Sequence, residues 1–200
     1  MKSPIFFILV LFIGFGASGC AFGPIYSHET ARTVGAGKGE FTGGFGNGGY
    51  LIKADVGLIE NLDIGFHWES LSIGGKIKYA FLNNREAGLS LSGTLGAGTS
   101  FGGSYYAATA TVSYLAGIWE PYLALRGTYV AYSSSSGSLS LNGSSLNLPQ
   151  FGYSYAYCEP ILGTRVWLYQ QHLYFSAELG VPITLLGGVF VGSAGLGYRF

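Results

Sequence analysis

Residues 194–200 read AGLGYRF, so the sequence ends on an aromatic side chain. Soluble proteins usually end in frayed polar residues. Here every second position is apolar, namely Ala194, Leu196, Tyr198 and Phe200. A period of two places alternate side chains on opposite faces of a β-strand. The stretch therefore predicts a terminal strand with one apolar face and one face of glycine and arginine.

The same period of two recurs from Lys38 onward. It is clearest in AGLSLSGTLGA (87–97), YAATATVSYLA (106–116) and HLYFSAELGV (172–181). The breaks between such stretches delimit ten predicted strands, at about 39–46, 49–58, 62–69, 73–82, 86–98, 105–117, 121–133, 151–168, 172–184 and 188–200. This pattern is typical of an all-β fold, a closed antiparallel transmembrane β-barrel of about ten strands, with eight strands as the alternative.

The amino terminus is predicted to be a targeting segment. Lys2 precedes the apolar run IFFILVLFIGF (5–15), which has the length of a signal-peptide core. ASGC (17–20) resembles the bacterial lipobox, although Ala17 stands where leucine is usual. The resemblance implies that residues 1–19 are removed and that Cys20 is lipidated, for example with palmitate. Ordinary signal-peptidase cleavage is the alternative.

Residues 20–37 show no period, and we expect a lipidated tether ahead of a barrel that spans residues 38–200. GAGKG (35–39) resembles part of a phosphate-binding loop, but Arg32 and Gly39 occupy the positions where that motif needs glycine and serine or threonine. After cleavage before Cys20, only Cys158 would be available as a free thiol, so no intramolecular disulfide is expected.

Charged residues test the predicted faces. When the apolar residues define the outward face of each strand, the strand charges fall on the inward face, as expected if the outward face contacts lipid. A basic side chain at the bilayer midplane costs about 2–4 kcal/mol. We therefore predict a polar, ion-paired lumen that contains Glu40, Lys53, Asp55, Asp63, His67, Glu69, Lys76, Lys78, Arg126, Glu159, Arg165, Glu178 and Arg199.

A soluble β-sandwich with one wet face would show the same alternation. It does not account for the signal peptide or for the aromatic residues near the strand ends. Those residues are expected to form interfacial girdles; they are Trp68, Trp119, Trp167, Tyr169 and Tyr198. In the eighth predicted strand Tyr153, Tyr155 and Tyr157 should face inward, and Pro160 should mark an irregular point.

The connections predict an orientation and a register. Tight turns near 60–61, 83–85, 118–120 and 169–171 suit the periplasmic side, so an even number of strands places both termini there. The turn at 60–61 places Lys53 opposite His67 or Glu69. Across the next loop we expect Glu69 to face Lys76 and His67 to face Lys78.

Candidate chemistry centres on His67, which shares its predicted face with Asp63 and Glu69. A His/Asp/Ser set with Ser70 or Ser72 is possible in principle, since some outer-membrane barrels modify lipid A, but no serine motif of those enzymes is matched. His28 lies in the tether and His172 at a turn, so three histidines do not converge on a metal. We expect no enzyme activity, no cofactor and no metal.

The terminal strand, with Tyr198 and Phe200 on its apolar face, resembles the carboxy-terminal signal of bacterial outer-membrane β-barrel proteins. The resemblance implies outer-membrane location, with the barrel-assembly machinery and outer-membrane lipid as partners. A formal net charge of zero gives no electrostatic footprint for nucleic acid. The expected role is structural or surface interaction; a narrow pore for small solutes and a lipid-modifying enzyme are the alternatives.

The stretch SSSSGSLSLNGSSLNLPQ (133–150) is uncharged and of low complexity. Asn142-Gly143 at its centre is a strong β-hairpin signal. Residues 134–150 are therefore the candidate contact site for an extracellular partner, and a solvated extension of the flanking strands is the alternative.

Overall fold

The structure, a computed structural model, describes residues 23–100, 103–133, 138–141, 144–147, 152–169, 171–184 and 187–200. Within these ranges no helix is long and apolar enough to cross a membrane. The strands are β1 (Gly39–Gly46), β2 (Gly49–Ile59), β3 (Leu62–Glu69), β4 (Ser72–Leu82), β5 (Gly88–Ser100), β6 (Gly103–Leu115), β7 (Trp119–Ser133), β8 (Ser138–Leu141), β9 (Ser144–Asn147), β10 (Gly152–Tyr169), β11 (Leu173–Gly180), β12 (Ile183–Thr184), β13 (Gly187–Gly188) and β14 (Val191–Arg199).

Ten of these strands form a closed antiparallel ring. The order runs from β1 to β7 and continues through β10, β11 and β14 back to β1. The β1–β14 ladder extends from Glu40–Arg199 to Gly46–Ser193, and Gly39 and Phe200 exchange two backbone hydrogen bonds of 2.9 Å. The prediction of a closed ten-stranded barrel is confirmed, and the eight-stranded alternative is wrong. Closure leaves the ring without an open edge strand.

The two ends of the barrel differ. One end, called the turn end below, carries the connections at 60–61, 83–87, 116–118 and 170–172, together with the start of β1 and the end of β14. The opposite end, called the loop end, carries the long β7–β10 and β11–β14 connections as well as three short ones, β1–β2, β3–β4 and β5–β6. The β8–β9 hairpin belongs to the first long connection, and Leu141 pairs with Ser144. The predicted Asn142-Gly143 turn itself lies outside the described residues.

Side chains alternate between an apolar outer wall and a polar interior, as period-two strands require. The outer wall exposes large apolar residues, including Phe41, Ile77, Leu95, Leu125 and Leu196. Among the described residues no charged side chain projects from the outer wall. The charges outside the lumen lie at the turn end and are Lys38, Glu60, Arg85 and Glu86.

The last two predicted strands are interrupted. β11 ends at Gly180 and the chain re-pairs briefly as β12 and β13 before β14 begins at Val191. Between β11 and β12 the ladder with β10 is broken at Pro160 and Pro182, because proline has no N–H to donate. Val181 N–H donates to the carbonyl of Pro160 at 3.2 Å. The predicted irregular point at Pro160 is confirmed.

Trp167 corrects the predicted aromatic girdle. Trp68, Trp119, Tyr169 and Tyr198 are exposed on the outside, whereas Trp167 is only 2% exposed. Trp167 shares the inward face of β10 with the buried residues before it, and a bulge between Trp167 and Tyr169 turns the later aromatic outward. Trp167 therefore belongs to the lumen.

The tyrosines of β10 form a stacked column, with ring centroids 6.4 Å apart for Tyr153–Tyr155 and 6.2 Å for Tyr155–Tyr157. Tyr157 is buried, Tyr155 is half-buried and Tyr153 is exposed. Burial decreases along the column toward the loop end, where β10 begins.

Candidate functional site

Residues 23–36, called the lumen segment below, run through the inside of the barrel. At the turn end, Thr33 Oγ1 donates to the carbonyl of Glu60 at 2.6 Å, and Ala36 bridges to Gly57. At the loop end, the hydroxyl of Tyr26 accepts the N–H of Gly48, in the β1–β2 turn, at 2.5 Å. This part of the predicted tether is therefore buried inside the wall, where it replaces solvent as the filling of the lumen.

Wall carboxylates accept hydrogen bonds from the backbone of the lumen segment. Glu69 accepts the N–H groups of Ile25 and Tyr26 at 2.8 and 3.3 Å. Glu178 accepts those of Ser27 and His28 at 2.8 and 2.7 Å. Nearer the turn end, Asp63 accepts the N–H of Val34 at 2.9 Å and the Ser113 hydroxyl accepts that of Ala31 at 3.1 Å. An irregular chain has no neighbouring strand, so side chains must satisfy its buried donors.

Basic side chains of the wall donate hydrogen bonds to carbonyl groups of the same segment. Arg126 donates to the carbonyl of Tyr26 at 3.1 Å. Lys53 and Arg165 donate to the carbonyl of His28 at 3.0 and 3.1 Å. Lys78 donates to the carbonyl of Arg32 at 3.0 Å. The lumen charges thus recognise the backbone of the segment as well as one another.

Two side chains of the lumen segment enter ion pairs with the wall. Arg32 donates to Glu120 through Nε at 2.7 Å and through a second guanidinium nitrogen, and it lies 5.3 Å from the ring centroid of Trp167. Glu29 pairs with Lys76 and lies 3.9 Å from Lys78. The segment is therefore bound through side chains and backbone.

The predicted lumen residues are buried or nearly buried, and most of them pair. Lys76 lies 3.0 Å from Asp55 and Lys78 lies 3.2 Å from Asp63. Arg126 and Glu159 are 2.6 Å apart. The remaining pairs are Lys53–Asp55 at 3.4 Å, Arg165–Glu40 at 3.0 Å and Arg199–Glu40 at 2.6 Å.

The register prediction is confirmed in one place and wrong in another. Lys53 lies opposite His67, one of the two partners predicted for it. Across β3–β4, however, Lys78 faces Asp63 and His67 faces Gly74. The predicted pairs Glu69–Lys76 and His67–Lys78 are therefore wrong. Alternation of side chains allows every register that differs by two residues, because each of them keeps the same side chains inward. The two-residue β3–β4 turn fixes a different one of these registers from the one predicted.

The His/Asp/Ser set considered from sequence does not assemble. His67 Nε2 lies 2.6 Å from the Tyr105 hydroxyl, while Ser70 accepts the N–H of Tyr50 at 2.9 Å. Asp63 and Glu69 bind the lumen segment. Among the described residues, no group of three or more His, Cys, Asp or Glu side chains could hold a metal ion.

His28 makes serine contacts that sequence reasoning missed, because it was placed in a tether. Its Nδ1 lies 2.8 Å from Ser176 Oγ and its Nε2 lies 2.8 Å from Ser193 Oγ. The residue adopts a left-handed φ of 47°, a conformation uncommon outside glycine, and its side chain is fully buried. These contacts fix one bend of the lumen segment.

Glu120, Glu29 and Arg32 were also missed. Glu120 was assigned to a tight turn, but β7 begins at Trp119, so Glu120 is a buried strand residue. Its inward side chain was recoverable from the alternation of β7. Glu29 and Arg32 lie in a segment without any period, and no pattern marks such a segment as buried.

A small cavity lies beside the lumen segment. This cavity of about 40 Å³ is lined by Glu29, Lys53, His67, Lys76, Tyr105 and Arg126 among others. That volume suits a few water molecules rather than an organic ligand. Cys158 faces outward, Cys20 lies outside the described residues, and of 134–150 only β8 and β9 are described.

No family model matches the chain, and no curated protein matches it. Solved structures that resemble it include Ail, the attachment invasion locus protein of Yersinia pestis, at 13% identity over 82% of this chain and 94% of that chain, with a TM-score of 0.34. The NanC porin gives 12% identity over 81% and 98%, with a TM-score of 0.41. The KdgM porin gives 10% over 82% and 99%, with a TM-score of 0.40.

Proposed function

We propose that this chain is a bacterial outer-membrane β-barrel lipoprotein with a sealed lumen and a structural or surface-interaction role. A closed ring of strands satisfies its own backbone groups, which a bilayer requires. The uncharged apolar outer wall suits lipid as its partner. The short connections of the turn end suit the periplasm and the longer ones the cell surface.

The observation that carries this proposal is the lumen segment. A conducting pore needs a continuous water path, but residues 23–36 occupy the lumen from one end toward the other. Opening a path would break the contacts of Glu69, Glu178 and Asp63 with the segment backbone, together with the buried Arg32–Glu120 pair. A ten-stranded barrel leaves little room beside such a chain.

Single-channel recording in planar bilayers tests the sealed lumen. The wild-type protein should show no steady conductance. Arg32→Ala should show openings, because it leaves Glu120 as a buried charge without its guanidinium partner and draws water into the lumen. Steady conductance of the folded wild-type protein would favour the narrow pore instead.

Lys38→Ala is the matched control for Arg32→Ala. It removes a cation from the same end of the chain, but Lys38 is exposed at the turn end. It should therefore be as closed as the wild type. Openings in both variants would show that Arg32 has no particular part in sealing the barrel.

We extend the proposal to the absence of catalysis. His67 is hydrogen-bonded to Tyr105. The contacts of His28 with Ser176 and Ser193 are buried within the lumen filling, so a substrate would have to displace the lumen segment to reach His28. Interaction would instead take place at the loop end, where residues 134–150 are the candidate surface for an extracellular partner. The barrel-assembly machinery would be a periplasmic partner during folding.

A further inference from the structure

The lumen segment crosses the barrel in a single direction. Val34 is held by Asp63 near the start of β3, at the turn end. Ile25 and Tyr26 are held by Glu69, the last residue of β3, and Tyr26 also bonds to the β1–β2 turn at the loop end. Asp63 and Glu69 are six residues apart along β3, about 20 Å at 3.3 Å per residue, so residues 25–34 extend along most of this strand. The segment thus runs from the turn end at residue 34 to the loop end at residue 25.

The next residues continue toward the loop end. Gly23 lies beside the side chains of Thr128, Tyr157 and Tyr105. Each of these residues is in the part of its strand that is nearer the loop end. The Tyr157 hydroxyl also donates to the carbonyl of Pro24 at 3.4 Å. A chain that turned back toward the turn end would have to lie beside the segment, where the cavity lined by Pro24 and Tyr26 measures only about 40 Å³.

We propose that the mature amino terminus emerges at the loop end, on the cell surface. Cys20 precedes Gly23 by three residues, a reach of at most about 11 Å. A lipid on Cys20 would then enter the outer leaflet from outside, rather than the inner leaflet from the periplasm. This reverses the sequence-based expectation that both termini are periplasmic, and it rests on the orientation given under the proposed function.

A threaded amino terminus also constrains how the barrel assembles. Side chains from β2, β3, β7, β10 and β11 hold the segment on several sides, and the wall around it is a closed ring of hydrogen-bonded strands. An acylated terminus is bulkier than the extended backbone that fills this lumen. The strands must therefore close around the segment instead of the segment entering a finished barrel.

Thiol labelling of intact cells with a membrane-impermeant maleimide tests the proposal. In a Cys158→Ser background, Ala21→Cys reports the amino terminus, Ser145→Cys the loop end and Glu86→Cys the turn end. We expect Ala21→Cys to react in intact cells to the same extent as Ser145→Cys, and at least tenfold more than Glu86→Cys, which should react only after permeabilisation. The background protein without an added thiol gives the contribution of Cys20.

Heat-modifiable migration in gels identifies the folded variants, and Phe22→Cys replaces Ala21→Cys if the latter does not fold. If the amino-terminal thiol reacts only after permeabilisation, as Glu86→Cys does, the proposal is overturned while the orientation stands. An amino-terminal thiol that is inert in both conditions overturns the proposal in the same way. If Glu86→Cys reacts in intact cells and Ser145→Cys does not, the orientation under the proposed function is wrong as well.

Discussion

Glu69 and Glu178 differ from the other lumen carboxylates. Among the described residues neither lies within salt-bridge distance of a cation; each instead accepts two consecutive backbone N–H groups of the lumen segment. Glu178 also accepts the Tyr122 hydroxyl at 2.8 Å. Both carboxylates are buried. Their role in the fold is to hold the segment rather than to neutralise a neighbouring charge.

Glu69→Ala should be markedly more destabilising than Glu60→Ala. The first substitution leaves the part-buried N–H of Ile25 and the buried N–H of Tyr26 without acceptors, at a cost of at most about 1–3 kcal/mol each. The second removes a side chain that is 67% exposed at the turn end and pairs with Arg85, which is worth at most about 1 kcal/mol. Urea midpoints of the two folded variants measure the difference.

Glu69→Gln is the control that separates acceptor loss from charge loss. It retains one carbonyl oxygen for the segment backbone, so its urea midpoint should fall between those of the wild type and Glu69→Ala. Equal midpoints for Glu69→Ala and Glu60→Ala would mean that water replaces the lost contacts and that the lumen is hydrated.

β14 and β1 are the elements that close the barrel. Gly39 and Phe200 exchange two backbone hydrogen bonds at the turn end, and the Phe200 ring lies where a side chain on Gly39 would stand, at 2.5 Å from an ideal Cβ. The ring also stacks on Tyr198, with centroids 6.4 Å apart. Phe200 thus extends the β1–β14 pairing that closes the ring by one residue at the turn end.

Phe200→Ser, or deletion of Phe200, should reduce the amount of heat-modifiable folded barrel several-fold. The reason is that the terminal strand is expected to be read by the assembly machinery and then to pair with β1. Phe190→Ser is the matched control, because Phe190 is 74% exposed and precedes β14. It should fold at close to wild-type levels; equal loss in both variants would remove the special role of the terminal residue.

The molecule as a whole separates its charges from its apolar surface. Charged side chains lie inside the ring or at the turn end, while the outer wall is apolar, and the lumen segment neutralises part of the interior with Glu29 and Arg32. Because this segment leads into β1, the proposed lipid anchor at Cys20 and the lumen filling would belong to one continuous piece of chain.

Cys20→Ser should abolish incorporation of labelled fatty acid and leave the barrel folded. The described contacts of the lumen segment begin at Gly23, so the substitution removes none of them. Metabolic labelling followed by gel migration of heated and unheated samples measures both effects. A wild-type protein that carries no label and has a free amino terminus would contradict lipidation.

Local alternation, together with the signal-peptide pattern and the aromatic strand ends, predicted the closed ten-stranded barrel, and it predicted the inward face of the charged residues in the predicted strands. Lys53, Asp63 and Arg165 could be assigned to the inward face because every strand must keep charge off its lipid-facing side. The alternation of apolar and polar residues identifies that side within a few residues. The turn at 60–61 reduced the β2–β3 register to two possibilities, and the structure has the one that pairs Lys53 with His67. These features depend on contacts that are close along the chain.

Which charged residues pair, and which residues fill the lumen, could be determined only from the tertiary structure. Alternation fixes the face of Lys78 but not its partner, which is Asp63 because of the register that the β3–β4 turn selects. The burial of residues 23–36 depends on groups up to 165 positions away in the sequence, such as Ser193 beside His28. The sequence of a segment without periodicity does not indicate such partners. The wall residues that contact it come together only through the pairing of strands that are distant in the sequence.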